Sequence, residues 1–266
     1  MYLDVDATLK QKNPKLHKWL PSFVIKWIER IIHQKEMNQY LSQHQGESSI
    51  KFAQNFLKSF DVNVNIIQEE NIPRTGRYIV VSNHPLGGFD GIALISVVGQ
   101  YRNDIKFPVN DILLSFDQLK EVFIPINKHG QNSQEAVKQL NEVFASDELI
   151  FYFPAGLCSR RQNGVICDLE WKKTVITKAK QYQRDIIPVH FKGENSARFY
   201  NLANFRKKIG LKFNIEMLFL PDEMFRHRGK TFDIKFGEPI SYQTFDSSKN
   251  DRQWAAWLKE QVYALK

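Results

Sequence analysis

Residues 77–101 read "RYIVVSNHPLGGFDGIALISVVGQY". The run from Tyr78 to Ser82 is rich in β-branched and aromatic residues and predicts a buried strand. After a loop that contains a proline and two glycines, an apolar stretch predicts a helix that begins near Phe89 or Asp90. A strand followed at once by a helix is the unit from which open α/β sheets are built. This stretch therefore decides the fold class.

The same alternation continues along the chain. Further strand-like runs are "IKFPV", "EVFIPI", "ELIFYF" and "DIIPVHF", and helical stretches such as "DQLK", "SQEAVKQLNEVFA" and "EWKKTVITKAKQYQ" lie between them. Their repetition predicts an α/β fold with a central, largely parallel sheet flanked by helices. Near the end, "KFNIEMLFL" and "TFDIKFG" predict an antiparallel addition, which would make the sheet mixed.

The N-terminal region carries a different pattern. From Leu16 to Ile32 the apolar residues recur at i, i+3 and i+4, which predicts an amphipathic helix whose first turn contains Pro21. A second helix is expected from about Ser49 to Phe60. We expect residues 1–60 to form a helical membrane-association segment and residues 61–266 to form the α/β domain.

Two interpretations of the first helix remain open. Trp19 and Trp27 suit a membrane interface, where their rings can sit at the level of the headgroups. The cations that could approach anionic lipids are Lys15, Lys18, Lys26 and Arg30. Alternatively, the apolar stripe packs on the protein core, as such stripes do in most soluble proteins.

The charge balance favours an anionic partner. The chain has 37 basic and 29 acidic residues, a net charge of +8, which suits nucleic acid, a membrane surface or a phosphorylated or carrier-bound substrate. No recognised nucleic-acid-binding motif accompanies the charge, so we expect no nucleic-acid partner. No apolar run approaches the roughly 18 to 20 residues of a membrane-spanning helix. With two cysteines and no secretory signal pattern, we expect a reducing, cytoplasmic location.

The loop after the first strand contains a histidine and an aspartate. His84 follows the carboxyl end of that strand, which is where open α/β sheets usually bind ligands. The Gly87–Gly88 pair permits a tight return that would bring Asp90 back toward the imidazole. A carboxylate bonded to one ring nitrogen fixes the tautomer, so that the other nitrogen can act as a general base. The simpler alternative is that Asp90 only caps the helix and His84 is a polar loop residue.

Several blocks in the right order resemble the glycerolipid acyltransferase superfamily, whose members esterify glycerol phosphate and lysolipids with acyl thioesters. "NHPLGGFD" is similar to the family's His-x4-Asp block and "VFIPINK" to its apolar strand that ends in a basic residue. "FPAGLCSRR" is similar to its Phe-Pro-Glu-Gly block and "IIPVHF" to its proline-containing strand. The resemblance implies a glycerol-phosphate-acyltransferase-like fold.

The sequence departs from the family pattern at two points. Five residues rather than four separate His84 from Asp90, and Ala155 stands where the family usually has a glutamate. With these features the chain resembles most the bacterial hemolysin-like branch, which includes enzymes that acylate the hydroxylated chains of amino-acid lipids. The acceptor is therefore expected to be either a lyso-amino-acid lipid or lysophosphatidate.

The resemblance also implies a mechanism. His84 would remove the proton of the acceptor hydroxyl, Asp90 would orient His84, and the alkoxide would attack the thioester directly. The co-substrate that donates the acyl group would be a thioester of acyl carrier protein or of coenzyme A, and no further cofactor is expected. We expect the enzyme to lie peripherally on the inner face of the cell membrane. The alternative of the same fold is a non-catalytic lipid- or carrier-binding protein.

A group of residues is predicted to bind substrate. Cations and an amide that follow strand ends would suit an anionic headgroup. The backbone of the "FPAG" turn would approach the substrate. The predicted residues are Asn127, Lys128, Phe153, Pro154, Gly156, Arg160 and Arg161.

Other reactive side chains have simpler interpretations than a place in the site. Cys158 lies beside two arginines, but an ordinary buried cysteine is the simpler interpretation. His190 lies within a predicted strand, and His129 and His227 have no partners at metal-ligand spacing. We therefore predict no metal site.

Overall fold

The computed structural model describes residues 3–109, 116–125 and 133–266 of the chain. The helices are α1 (Val5–Lys12), α2 (Pro14–Trp19), α3 (Ser22–Ile31), α4 (Gln34–Gln43), α5 (Ser49–Ser59), α6 (Gly88–Val98), α7 (Ser133–Ala145), α8 (Thr174–Tyr182), α9 (Ala197–Lys208), α10 (Leu220–Phe225) and α11 (Asp251–Ala264). The strands are β1 (Asn63–Ile67), β2 (Tyr78–Ser82), β3 (Ile105–Val109), β4 (Phe123–Pro125), β5 (Leu149–Tyr152), β6 (Arg160–Gln162), β7 (Val165–Cys167), β8 (Asp185–Lys192) and β9 (Thr231–Phe236).

The central sheet confirms the predicted fold class. Its strands follow the order β1-β9-β8-β2-β5-β3-β4, and β6 and β7 form a separate antiparallel hairpin. Every neighbouring pair in the central sheet is parallel except β8 and β9, which are antiparallel. The predicted antiparallel addition from "TFDIKFG" is therefore present as β9.

Helices cover both faces of the sheet because its strands are apolar on both sides. In β2, Val80 belongs to a core that includes residues of α4, α5 and α6, whereas Ile79 and Val81 belong to a second core with residues of α7, α8 and α11. A strand that is buried on both faces reads as a continuous apolar run, which is what "YIVVS" shows. The sheet thus holds the loop after β2 on a rigid support.

The prediction that "KFNIEMLFL" is a strand was wrong. Residues Ile215–Phe219 form a 3-10 helix that runs into α10. Pro221 lies in the first turn of α10, where its missing N–H costs little, and the buried Glu216 forms ion pairs with arginines of other elements. The place beside β9 is taken instead by the parallel strand β1, which the sequence analysis did not predict.

Smaller differences concern short or polar elements. The "DQLK" stretch is a 3-10 helix at Asp117–Leu119. The hairpin of β6 and β7 and the helices α9 and α11 were not predicted. The two strands of the hairpin are only three residues long, and α9 has a weak apolar periodicity, so neither the hairpin nor α9 gives a strong sequence pattern.

The apolar stripe from Leu16 to Ile32 is partly buried on the protein and partly exposed, so each of the two interpretations describes a part of it. Leu20 and Pro21 separate α2 from α3, so the segment is two helices rather than one helix preceded by a short turn. Ile25 and Ile31 are buried against the protein, whereas Trp19 is 85% and Phe23 71% exposed. One edge of the stripe therefore packs on the domain and the other faces outward.

The predicted domain boundary at residue 60 falls within one core. Met37, Phe52 and Phe56, from α4 and α5, are buried in the same cluster as residues of α6 and β2. The part that lies outside this cluster is the region of α1 to α3, apart from Leu3, which packs against it. Among the described residues, we find no helix with both the length and the apolar character needed to cross a membrane.

Candidate active site

The residue that follows β2, Asn83, anchors the start of the His84 loop to the sheet. Asn83 accepts a hydrogen bond from the Phe191 N–H at 2.7 Å and donates its amide to the Phe191 carbonyl at 2.9 Å. This side chain takes the place of a ladder pair just beyond the last residue of β2, which pairs with β8. The backbone before His84 is therefore fixed.

Gly87 makes the tight return that the glycine pair predicts. Its φ is +86°, a region that L residues with a Cβ rarely adopt, and α6 begins at the next residue. A Cβ on Gly87 would also lie 2.9 Å from Cδ1 of Leu220. Both the conformation and the close packing therefore require glycine here.

The return brings the predicted pair into contact. Nδ1 of His84 lies 2.9 Å from Oδ2 of Asp90, which confirms that the extra residue in the loop does not prevent the contact. Asp90 also accepts hydrogen bonds from the Leu86 and Gly87 N–H groups, so it caps α6 as well as meeting the imidazole. Complete burial raises the pKa of Asp90, and its hydrogen bond with His84 opposes that rise.

The other side of the imidazole remains accessible. A carboxylate on Nδ1 favours the tautomer in which Nδ1 carries the proton and Nε2 has a free lone pair. The ring of Phe153 stacks on that of His84, with centroids 4.1 Å apart and planes 20° apart. The His84 side chain is still 15% exposed, whereas Asp90 is fully buried. This is the geometry of an oriented general base.

A second buried carboxylate holds the His84 backbone and was not predicted. Oδ1 of Asp168 accepts from the His84 N–H at 3.2 Å and from the Ser159 hydroxyl at 2.6 Å, and Oδ2 accepts from the Trp171 indole at 2.9 Å. The Ser159 N–H in turn donates to the His84 carbonyl at 2.7 Å. Asp168 lies 84 residues from His84, so no local pattern could have revealed the contact.

The predicted "FPAG" turn lies against the histidine through Phe153. The Gly156 N–H donates to the Phe153 carbonyl, and Gly156 has a positive φ of 67°. Ala155, at the position where a glutamate was expected, is buried among apolar residues. The Lys172 N–H donates to the Pro154 carbonyl at 3.1 Å, which ties a lysine that the sequence analysis did not single out to the same turn.

The side chain of Lys172 also reaches this turn. A Cβ on Gly156 would lie 3.1 Å from its Nζ. Lys172 is exposed, so its ammonium group is open to an anion in solution. It is a cation close to the turn that carries Phe153.

The two predicted arginines differ in their surroundings. Arg160 is buried, and its Nη2 forms an ion pair with the buried Glu216 at 2.9 Å. Its Nη1 donates to the carbonyl of Cys158 at 2.6 Å. Arg161 is half-buried, lies over the ring of Tyr200 and donates to the amide oxygen of Asn201. The contacts of Arg160 therefore favour a structural role over the predicted binding of a headgroup.

Of the remaining candidate residues, some lie outside the described part of the chain and others are buried. Asn127, Lys128 and His129 are outside the described residues. Burial raises the pKa of the Cys158 thiol to about 11, which disfavours a thiolate at neutral pH. His190 is buried in β8, and burial lowers its pKa to about 4. Within the described ranges, no group of three or more His, Cys, Asp or Glu residues could hold a metal ion.

Comparison with known proteins gives concordant matches over nearly the whole chain. The family model described as "Acyltransferase" matches residues 7–266. A lyso-glycine lipid O-acyltransferase from Bacteroides thetaiotaomicron is 48% identical over 264 residues, which cover 99% of this chain and 97% of the relative. A protein of the same name from Phocaeicola vulgatus is 46% identical, with coverages of 99% and 95%.

A solved structure is also similar. The 1-acyl-sn-glycerophosphate acyltransferase PlsC from Thermotoga maritima is 17% identical and has a TM-score of 0.49. The similarity covers 91% of this chain and 92% of that one.

Proposed function

Because the chain belongs to the acyltransferase family and is an acyltransferase, we propose that it transfers a fatty acyl group from a thioester to the hydroxyl of a lyso-glycine lipid. The names of the two relatives support this acceptor over lysophosphatidate. The observation that carries the chemistry is the 2.9 Å contact between His84 Nδ1 and the buried Asp90. It leaves Nε2 of His84 as the base.

The proposed reaction needs two steps. Nε2 of His84 takes the proton of the acceptor hydroxyl as the oxygen attacks the thioester carbonyl, and the imidazolium is stabilised by Asp90. The tetrahedral intermediate then collapses, the C–S bond breaks, and the leaving thiolate takes the proton from His84. The products are an ester and a free thiol. The high pKa of the Cys158 thiol supports direct transfer without an acyl-cysteine intermediate.

The acidic group of the proposed acceptor suggests one further contact. A glycine whose amine carries a hydroxylated chain has a free carboxylate, which a lysine or arginine can recognise. Lys172 is tied to the turn that stacks Phe153 on His84, and its Nζ would lie 3.1 Å from a Cβ on Gly156 of that turn. We place the acceptor carboxylate at Lys172, with Arg161 as a second cation.

The donor and the location are part of the same proposal. The donor is a fatty acyl chain on acyl carrier protein or coenzyme A, and no other cofactor takes part. The enzyme works peripherally on the cytoplasmic face of the membrane, where the exposed edge of α2 and α3 meets the lipid. The net charge of +8 supports an anionic membrane surface.

The test uses the purified full-length chain with a synthetic N-(3-hydroxyacyl)glycine. Acyl coenzyme A and acyl carrier protein are supplied in separate reactions, and the diacylated product is measured by mass spectrometry. We expect product with at least one donor and much less with lysophosphatidate as the acceptor. A chain that binds the acceptor but releases no thiol from either donor would instead be a non-catalytic lipid-binding member of the family. Faster turnover of lysophosphatidate would overturn the proposed acceptor.

A further inference from the structure

A second exposed apolar cluster lies at the end of α9. Phe205, Ile209, Leu211 and Phe213 are 58%, 57%, 40% and 63% exposed. Single exposed apolar side chains are common on soluble proteins, but four large ones within nine residues form a patch that needs a partner. We call residues 205–213 the α9 tip.

The way in which α9 ends gathers these side chains. Gly210 has a φ of +72°, its N–H donates to the Lys207 carbonyl, and the Leu211 N–H donates to the Arg206 carbonyl. These two hydrogen bonds define a Schellman motif, which turns the chain back over the last helical turn. Phe205 lies in the last turn of α9 and Ile209 directly follows the helix. A Schellman motif commonly packs the residue after its glycine, here Leu211, against the last helical turn.

Contacts of the Arg206 side chain fix the conformation of the α9 tip. Arg206 donates to the Leu211 carbonyl at 2.9 Å and forms an ion pair with the buried Glu216 at 2.9 Å. Glu216 is also the partner of Arg160. The apolar side chains are therefore presented outward by a braced turn.

The charges on the α9 tip indicate the kind of partner. Residues 205–213 read "FRKKIGLKF", with four basic residues and no acidic one. Lys207, Lys208 and Lys212 are all exposed. Exposed aromatic and aliphatic side chains interleaved with lysines are complementary to an anionic bilayer surface, where the apolar groups enter the interface and the lysines meet the headgroups.

The α9 tip and the exposed edge of the N-terminal helices are linked by a shared neighbour. Both α3 and α9 pack on the 3-10 helix at Ile215–Phe219, and Trp27 of α3 meets Phe219 edge to face, with centroids 6.0 Å apart. Leu220, the next residue, packs against Gly87 in the catalytic loop. The two apolar patches thus belong to helices that pack on one short element, and the residue that follows this element touches the loop of His84.

We propose that the α9 tip is a second membrane-contacting element that binds an anionic bilayer together with α2 and α3. The proposal rests on the proposed function only in that a lipid acceptor gives the enzyme a reason to bind a bilayer. Two contacts on either side of Ile215–Phe219 would fix the orientation of the enzyme on the membrane. The His84 loop would then lie beside the surface from which the acceptor comes.

The experiment measures co-sedimentation of the full chain with vesicles of phosphatidylcholine, with and without phosphatidylglycerol. The variant Phe205→Ser/Phe213→Ser removes the apolar contact, and we expect binding to both vesicle types to fall about tenfold or more. The variant Lys207→Gln/Lys208→Gln/Lys212→Gln should lose about fivefold per lysine on anionic vesicles only. The matched control is Val137→Ser on α7, a side chain that is 55% exposed in another part of the protein.

Size-exclusion chromatography and thermal unfolding of each variant separate the outcomes. All these residues are exposed, so we expect unchanged melting temperatures. Undiminished vesicle binding of both variants would overturn the proposal. A dimeric wild type that Phe205→Ser/Phe213→Ser converts to a monomer would also overturn it, because the α9 tip would then be an interface between two copies. Vesicle binding requires no turnover, so a chain that binds through the α9 tip but transfers no acyl group would refute the proposed function alone.

Discussion

Two ionisable pairs lie in neighbouring parts of the molecule and differ in what they leave open. The His84–Asp90 pair belongs to one loop, and its histidine keeps 15% of its side chain exposed. The Arg160–Glu216 pair joins residues 56 positions apart, and its members are 8% and 0% exposed. In the first pair, Nε2 of His84 can meet a substrate. In the second pair, the guanidinium N–H groups of Arg160 donate to other groups of the protein. A basic residue in a motif is therefore a binding residue only if its donors reach the surface.

The largest effect should come from the open member of the first pair. We expect His84→Ala to lower kcat about 100- to 10,000-fold, because it removes the general base. The melting temperature should change little, since His84 is a loop residue. Steady-state kinetics on detergent-dispersed acceptor check this result, with Val137→Ser as the control. Turnover close to that of the wild type would show that another group takes the proton.

The second pair should respond in stability. We expect Arg160→Ala to lower the free energy of unfolding by about 1–3 kcal/mol, because the buried Glu216 carboxylate loses one partner but keeps its ion pair with Arg206. Denaturant unfolding measures the loss, and Arg160→Lys, which keeps a positive charge beside Glu216, should lose less stability than Arg160→Ala. A stable Arg160→Ala protein with a raised acceptor KM would instead restore the headgroup role that the sequence suggested.

Asp90→Asn tests the closed member of the first pair. Oδ2 of Asp90 meets Nδ1 of His84 as well as the Leu86 and Gly87 N–H groups, so an asparagine cannot serve all three contacts. An asparagine N–H directed at Nδ1 favours the wrong tautomer of His84. We expect kcat to fall about 10- to 1,000-fold while the acceptor KM stays near its wild-type value. If Asp90 served only as a helix cap, kcat would be unaffected and any change would appear in the melting temperature.

The smallest effect concerns the two cations proposed to bind the acceptor carboxylate. We expect Lys172→Ala to raise the acceptor KM about tenfold, the value of one charge-assisted hydrogen bond, with the donor KM unchanged. Arg161→Ala should act in the same direction. The matched control is Lys173→Ala, which removes an exposed lysine next in sequence. An acceptor with a neutral methyl ester should show no difference between the wild type and Lys172→Ala, and a persistent difference would exclude recognition of the carboxylate.

The sequence predicted those features that depend on local pattern. The alternation of strands and helices gave the fold class, and the bounds of α7 and the contact between His84 and Asp90 were also foreseen. Each of these depends on residues close together in the chain. The assignment to the acyltransferase family followed from the resemblance of several motifs rather than from any single one, and it left two lysolipid acceptors open.

The features that the sequence did not reveal depend on distant partners. Glu216 lies in an apolar run that looks like a strand, and only its pairing with Arg160 and Arg206 shows why the run coils into a 3-10 helix. Asp168 supports His84 from another element. The sequence also could not show whether Arg160 is free to bind a substrate, because its partner Glu216 lies in a run that the sequence predicts to be a strand.

The left-handed turn at Gly87 changes what counts as a match to the family motif. In an alignment of letters, this loop carries an insertion between histidine and aspartate. In the folded protein the added residue does not separate the two side chains, because the positive φ of Gly87 turns the chain into the start of α6. A search that demands a fixed number of letters would reject this chain, whereas one that allows an added residue when a glycine accompanies it would keep it. The glycine is thus the part of the signature that allows the spacing to vary.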